Sequence, residues 1–346
     1  MKIGLVGFAG SGKTTVFNAM TGLDIPVGFG GKMRMGSVRV PDERVDKLSN
    51  LFEPKKTTYA EITFCDVPGE HGAAKQGLSP GALQQIREQD ALGLVLRDFV
   101  NPALEDDPDP LADLEAFHTE SILADLGIVE RRLERLKKDR SDLLEQETFE
   151  KMKDLLEQEK PLRSLSGSEL NRAGLKGYGL LTDIPVLVVL NCEESRAGDP
   201  LPKDIKNRLD ELFADGISLS ASVESEIAEL DAEDQEEFLS DLGVTEPALS
   251  RLIRTSYDLL DLISFFTVGT DEVRAWNILK GTNASGASGC IHTDLERGFI
   301  RAEITPCETL LELGSEQAVK EAGKLQVVGK DHIVEDGDIM HVRFNV

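Results

Sequence analysis

Gly7-Phe8-Ala9-Gly10-Ser11-Gly12-Lys13-Thr14 is the stretch that decides the reading. Its spacing is GxxxxGK[ST], the phosphate-binding loop. An apolar run, Ile3-Gly4-Leu5-Val6, precedes it and reads as a buried strand. Thr15-Val16-Phe17-Asn18-Ala19-Met20 follows and reads as the start of a helix. The motif requires that strand–loop–helix context. Glycines let backbone N–H groups turn inward around a phosphate where a Cβ would intrude. The helix N-terminus adds unpaired donors and a positive dipole end. Phe8, Ala9, Gly10, Ser11, Gly12, Lys13, Thr14 and Thr15 are therefore expected to hold a nucleoside triphosphate. Lys13 is expected to reach the β- and γ-phosphates and act in catalysis, and the Thr14 hydroxyl to bind Mg²⁺.

Working outward, residues 1–100 alternate strand-like and helical segments. Ser37-Val38-Arg39-Val40, Glu61-Ile62-Thr63-Phe64-Cys65 and Ala91-Leu92-Gly93-Leu94-Val95-Leu96-Arg97 read as strands, and Gly81 to Asp90 as a helix. That alternation implies an α/β fold with a mainly parallel sheet. A Pro/Asp-rich break follows at Asn101–Pro110. Ile122, Leu126, Val129, Leu133 and Leu136 then recur at the spacing of a coiled-coil seam. The seam continues to Leu143, and a second helical stretch runs from Phe149 to Glu159. Together they predict an inserted, antiparallel helical hairpin, with a dimerising coiled coil as the alternative on a short seam. Ile184-Pro185-Val186-Leu187-Val188-Val189-Leu190 resumes the α/β pattern as a central strand, and Ile217-Ser218-Leu219-Ser220 is another. Glu224–Asp241 reads as an exposed acidic helix. From about Ile263 the texture changes to short β runs, which predicts a separate small α+β domain. The expected organisation is a nucleotide domain at 1–110 and 166–262, a hairpin at 111–165 and a C-terminal domain at 263–346.

Two further elements belong with the phosphate loop. Asp66-Val67-Pro68-Gly69 ends the strand Ile62–Cys65. A carboxylate at a strand tip followed by glycine is the second Mg²⁺ element of switch-type nucleotide hydrolases. Asp66 is expected to hold Mg²⁺ and the Gly69 N–H to meet the γ-phosphate. Glu70 and His71 follow where related enzymes orient water. Each is a candidate to orient or deprotonate it, since His titrates near neutrality, or else a solvated loop residue. Asn191-Cys192-Glu193-Glu194 ends the central strand where regulatory GTPases carry NKxD. Here the pattern is NxxE, so the base-reading carboxylate sits on the longer Glu194. That shift weakens guanine readout and tolerates adenine. Ser220-Ala221-Ser222 stands where a second base loop lies.

The chain has 346 residues, a formal charge of −25 and 5% aromatic residues. The charge argues against non-specific nucleic-acid binding by the whole surface. No apolar run reaches the ~18 residues of a membrane helix, the start of the chain is expected to carry no signal peptide, and the four scattered cysteines suggest neither zinc nor a disulfide framework. A cytosolic protein without membrane contact is expected. Nothing in the sequence demands a dimer, so a monomer is expected. The cluster Glu130–Arg140 reads as a solvated helix face with acid–base pairs.

On these residues the chain resembles the Obg-like ATPases, the YchF family. The resemblance rests on the NxxE at Asn191–Glu194, on the insertion Thr119-Glu120-Ser121-Ile122-Leu123-Ala124-Asp125-Leu126 with Val129–Lys138, and on C-terminal matches. Those matches include Phe265-Phe266-Thr267-Val268-Gly269, Arg274-Ala275-Trp276, Ile291-His292-Thr293-Asp294 and Asp336-Gly337-Asp338-Ile339. The resemblance implies a C-terminal TGS domain of the β-grasp type, Mg²⁺-dependent hydrolysis of ATP with relaxed base choice (GTP remaining possible), and a link to ribosomes and translation. It makes the basic helix 130–140 and the TGS-like domain the expected ribosome or ribosomal RNA contacts. The family usually carries Asn where this chain has Gly10, which implies no potassium requirement through that position. Its Pro-Thr-Thr segment is replaced by Tyr59-Ala60-Glu61, leaving open whether Thr57 or Thr58 closes on Mg²⁺. Two competing readings are a nucleotide-sensing scaffold with negligible hydrolysis and a strict GTPase.

Overall fold

The structure is a computed structural model describing residues 1–27, 32–68, 79–139, 143–167 and 169–345. In chain order it runs β1 (Lys2–Val6), α1 (Lys13–Thr21), β2 (Arg34–Arg39), α2 (Glu43–Phe52), β3 (Lys56–Thr58), β4 (Glu61–Asp66), α3 (Pro80–Arg87) and β5 (Ala91–Asp98). Two long helices follow, α4 (Pro110–Asp139) and α5 (Leu143–Glu157). Next come β6 (Val186–Cys192), α6 (Lys203–Glu211), β7 (Asp215–Leu219), α7 (Ala221–Glu229), α8 (Ala232–Asp241) and α9 (Ala248–Leu259). The C-terminal elements are β8 (Leu262–Thr267), β9 (Glu272–Leu279), α10 (Ala284–Ile291), α11 (Thr293–Arg297), β10 (Phe299–Pro306), α12 (Cys307–Leu313), α13 (Glu316–Glu321), β11 (Gln326–Val328) and β12 (Asp338–Phe344).

The chain forms two compact units, Met1–Ser37 with Thr63–Leu252, and Val38–Ile62 with Ile253–Val346. In the first, a sheet of order β2-β4-β1-β5-β6-β7 carries parallel pairing from β4 through β7. β5 and β6 are buried almost throughout. That is why they read as unbroken apolar runs, as strands covered on both faces do. The order reverses at β1, between β4 and β5. Ligands bind outside the carboxyl ends of strands at such a switch point, and the phosphate loop leaves β1 there.

The helix α4 serves two cores. Leu114 and Phe117 pack with Leu94, Leu96 and Val188 of the sheet. Ile122, Val129 and Leu133 instead pack with Phe149, Met152 and Leu156 of α5. The hairpin is thus an extension of a sheet-packed helix. Its seam does not continue to Leu143, which opens α5 and is 75% exposed. α4 ends at Asp139 and Leu143 opens a second helix, so a heptad count along α4 does not carry over to it. The basic cluster pairs across the hairpin, with Arg132 on Glu145, Lys137 on Glu150 and Glu130 on Lys153.

The acidic stretch Glu224–Asp241 is two helices, and its first residue is buried. Asp231 ends the run by capping α8, accepting from the N–H groups of Glu233 and Asp234. Glu224 accepts from the N–H groups of Ala248 (2.8 Å) and Leu249 (3.1 Å) at the start of α9. A carboxylate there satisfies orphan donors and the dipole, although burial still pushes its pKa up.

In the second unit a mixed sheet has the order β11-β10-β12-β8-β9-β3. β10 and β12 pair antiparallel, β12 and β8 parallel, and β8 and β9 antiparallel. Phe265, Ile278, Ala302, Ile304 and Met340 form its core with Ala284 and Ala287 of α10. The segment Val38–Ile62, expected within the nucleotide domain, belongs to this unit. β3 pairs in parallel with β9, Thr57 opposite Val273. Arg44 bonds Asp42 and Asp336 and lies 5.1 Å from the Phe266 ring centroid. The Thr58 hydroxyl donates to Glu272 (2.7 Å), and the Thr57 hydroxyl meets that of Ser49 (2.8 Å). Both candidate switch threonines are therefore engaged within this unit. Among the described residues no helix is long and apolar enough to cross a membrane.

Candidate nucleotide-binding site

Between β1 and α1 the loop closes on itself. Lys13 is buried, and its Nζ donates to the carbonyls of Gly7 and Phe8, each at 2.8 Å. Burial lowers its pKa to about 8, against the pull of Asp66. The ammonium thus sits inside the loop without a carboxylate hydrogen bond among the described residues. Beside it the Thr14 hydroxyl donates to Asp66 Oδ2 at 3.0 Å. Asp66 Oδ1 and Ser11 Oγ are buried and have no hydrogen-bond partner among the described residues. A buried polar atom left without a partner is uncommon and calls for an explanation. Here two such oxygens stand beside a lysine and a threonine. That donor set fits a hard cation together with phosphate, since Mg²⁺ takes oxygen ligands.

Asn191 ties the other end of the site to this loop. Its Nδ2 donates to Ser11 O at 3.0 Å, and its Oδ1 accepts the Ala221 N–H at 2.9 Å. Both amide atoms are used, which fixes the side chain and clamps three loops. Gly12 lies directly beneath. A Cβ there would stand 2.2 Å from Asn191 Nδ2, and its φ of +89° is left-handed. Gly12→Ala should therefore push Asn191 away and strain the loop. Left-handed strain of this kind costs ~1–3 kcal/mol, so ATP affinity should fall by about fivefold to a hundredfold, read by calorimetric titration of a non-hydrolysable analogue.

Cys192, which replaces the usual lysine, fastens the neighbouring loops. Its thiol donates to Leu219 O (3.2 Å) and Arg196 O (3.3 Å), and burial keeps it protonated by raising its pKa. Arg196 reaches Asp98 O at 2.7 Å and Asp98 Oδ2 at 2.8 Å. A cavity of about 510 Å³ opens above these residues, lined by Gly12, Thr15, Phe99, Asn191, Glu194 and Ser222 among others. Glu194 is exposed on its wall. The structure thus brings together Gly12, Thr15, Asn191, Glu194, Ala221 and Ser222. Ser220 is set back and bonds the Ser222 hydroxyl at 3.0 Å. Phe8 contributes its carbonyl to Lys13, and Ala9 is half-buried. Gly69, Glu70 and His71 lie outside the described residues. Phe99 and Val100 were missed in sequence. Their only signal is their place just beyond the carboxyl end of a central strand.

The Bacillus subtilis protein named ribosome-binding ATPase YchF is 40% identical to this chain over 362 residues, covering 99% of each. The chain belongs to the YchF family. The rice protein named Obg-like ATPase 1 is 36% identical, covering 100% of this chain and 92% of its own. A solved structure from Schizosaccharomyces pombe, titled as the YchF GTPase, superposes with a TM-score of 0.88 at 33% identity, over 99% of this chain and 97% of that one. The family model YchF-GTPase_C, described as a protein of unknown function (DUF933), matches residues 262–345. That range covers β8 to β12 and excludes the segment Val38–Ile62, which the same compact unit contains.

Proposed function

We propose that this YchF-family chain is a Mg²⁺-dependent nucleoside triphosphatase, preferring ATP to GTP, that acts as a slow switch on the ribosome. The observation that carries this reading is the pairing of Thr14 with Asp66 beside buried Lys13, with Asp66 Oδ1 unpartnered. Thr14 and Asp66 would hold Mg²⁺, which supplies charge neutralisation at the β- and γ-phosphates. The residues of the chain do the rest. Lys13 offers its ammonium, and the loop N–H groups with the start of α1 receive the phosphates. Stabilisation by preorganised donors is the main catalytic resource of such a site. Water activation falls to Glu70 and His71 in this reading, and Gly69 meets the γ-phosphate.

Support for adenine comes from the wall of the cavity. A guanine reader needs a carboxylate at a set reach, and here it is an exposed glutamate in a short helical turn after β6. Relatives carry both names, ATPase in Bacillus subtilis and GTPase in Schizosaccharomyces pombe. Calorimetry with non-hydrolysable ATP and GTP analogues and Mg²⁺ decides between them. Tighter ATP binding is expected, and tighter GTP binding would remove the roles given to Asn191 and Glu194. Shortening the side chain with Glu194→Asp should move preference toward GTP, seen as a rise in the GTP-to-ATP affinity ratio of about tenfold, the worth of one good hydrogen bond to a charged group.

The ribosome link rests on the names of relatives and on the exposed residues of α4. With Arg132 and Lys137 committed to α5, Arg131, Arg135 and Lys138 are left exposed three or four residues apart on the helix. They form the basic stripe we assign to ribosomal RNA, with the C-terminal sheet as the TGS-type module. The chain would act as a monomer in the cytoplasm.

A further inference from the structure

The loop after β5 does more than wall the cavity. Asn101 Nδ2 donates to Gly10 O at 3.1 Å, in the middle of the phosphate loop. Its Oδ1 accepts the Ala103 N–H at 3.0 Å, and its backbone carbonyl accepts the Leu104 N–H at 3.0 Å. The turn Asn101-Pro102-Ala103-Leu104 is thus closed twice, with proline at the position where its fixed φ suits a turn. Because the side-chain oxygen is used inside the turn, the amide N–H₂ is the part presented to Gly10. The base of the loop is held as firmly. Buried Arg97 donates to Asp106 O (2.9 Å) and Asp107 O (3.0 Å), and Arg196 holds Asp98.

The space over Gly10 is also filled. A Cβ at Gly10 would meet Leu104 Cδ1 at 2.8 Å and Asn101 Nδ2 at 3.0 Å, and the φ of Gly10 is +79°. The phosphate loop and the turn are therefore fitted to each other, with a bare glycine on one side and an amide and a leucine on the other. The consequence for the phosphate site follows from peptide geometry. In a planar trans peptide the C=O and N–H point in opposite directions. Holding the Gly10 carbonyl out to Asn101 turns the Ser11 N–H into the loop, where it makes a long hydrogen bond of 3.3 Å to Phe8 O.

We propose that Asn101 is a positioning residue for the phosphate loop, setting the Ser11 N–H toward the bound phosphates through the Gly10 carbonyl. This rests on the nucleotide-binding reading above. It assigns a role in triphosphate affinity to a residue that lies on a different loop from the phosphate motif and the base-reading segments. The contact is made to substrate and transition state alike, so its loss should raise KM and spare kcat.

The test is Asn101→Ser in the full chain, with MgATP hydrolysis measured over substrate concentration. Serine keeps an oxygen for the Ala103 N–H but is too short to reach Gly10. KM should rise by about fivefold to tenfold with kcat changed by less than about twofold, as loss of one hydrogen bond predicts. Leu104→Ala is the control. It loosens the packing over Gly10 and leaves the hydrogen bond, so it should lower the melting temperature while KM stays within about twofold. Titration of a non-hydrolysable ATP analogue into each variant reads affinity in the folded fraction and should repeat the pattern. A KM for Asn101→Ser equal to wild type, or an equal rise in Leu104→Ala, would overturn the proposal. Wild-type protein that bound neither ATP nor GTP would instead overturn the underlying reading. Normal wild-type binding with an unaffected Asn101→Ser sinks this inference alone.

Discussion

Lys13→Ala should abolish Mg²⁺-dependent nucleotide hydrolysis while leaving the fold intact or firmer. Loss of a preorganised group aimed at developing charge lowers kcat by ~10²–10³, and here the lost group is a full charge inside the loop. The second half of the expectation comes from burial. Lys13 has a pKa lowered to about 8, with burial as the main cause and Asp66 as a partial offset. The folded chain therefore holds the ammonium at a cost, which bound phosphate would relieve. The sign of the pH dependence follows. Between about pH 8 and the ordinary lysine value of 10.5 the unfolded chain binds more protons than the folded one. Stability from this group is thus lowest below pH 8 and rises with pH across that window. In Lys13→Ala that rise should vanish, and the melting temperature near pH 7 should equal or exceed that of wild type. Phosphate release and thermal melts from pH 7 to above pH 10 check both halves. Hydrolysis by Lys13→Ala at a rate near wild type would end the catalytic assignment.

How far the sequence could be read depended on where each element gets its definition. The phosphate loop is defined locally, because the loop itself demands glycine, and its neighbours Ile3–Val6 and Thr15–Met20 supply the strand and the helix. Asn191 was legible as a position, yet its two bonds, to Ser11 and Ala221, depend on loops far apart in the chain. β3 was illegible for the same reason in stronger form. Lys56-Thr57-Thr58 is short and polar, and it is a strand only because β9, more than two hundred residues later, lies beside it. The segment Val38–Ile62 consequently falls in a compact unit other than the one its sequence suggests. Glu224 looked like surface because acidic residues usually are, and only the N-terminus of α9 explains its burial. Leu143 falls on the seam by count alone, but it belongs to a second helix, and the period of α4 does not set which face that helix buries. Asn101 carried no motif at all, and its partner Gly10 looked like a mere departure from the family pattern until the turn above it was seen.

Asp125→Ala should be among the most damaging single changes to stability, although Asp125 is not among the residues of the phosphate loop or the cavity. It lies on α4 where the helix passes from the sheet core to the hairpin core, and it is fully buried. Its Oδ1 accepts the Leu181 N–H at 2.9 Å, and its Oδ2 accepts the N–H and hydroxyl of Thr182, each at 2.7 Å. Burial pushes its carboxyl pKa up, and these three bonds pull against that push. Nearby Arg163 is half-buried, its pKa lowered to about 10 by desolvation against the charges of Asp125 and Asp183. Truncation removes one acceptor, strands three donors away from water and takes away one of the two carboxylates near Arg163. Leaving buried donors unsatisfied costs ~1–3 kcal/mol each, so a loss of at least ~3 kcal/mol is expected. For a unit of this size that corresponds to a melting temperature lower by roughly 10 °C. Asp125→Asn keeps the shape but turns an N–H₂ toward donors, so it should also destabilise, by less. Calorimetric melting of both variants gives the magnitude, and a drop under about 2 °C for Asp125→Ala would refute the network's importance. Hydrolysis measured well below the melting transition should survive, because α4 fixes the hairpin to the sheet and contributes nothing to the phosphate loop. That separation, large loss of stability with retained turnover, is the mirror image of the result expected for Lys13→Ala.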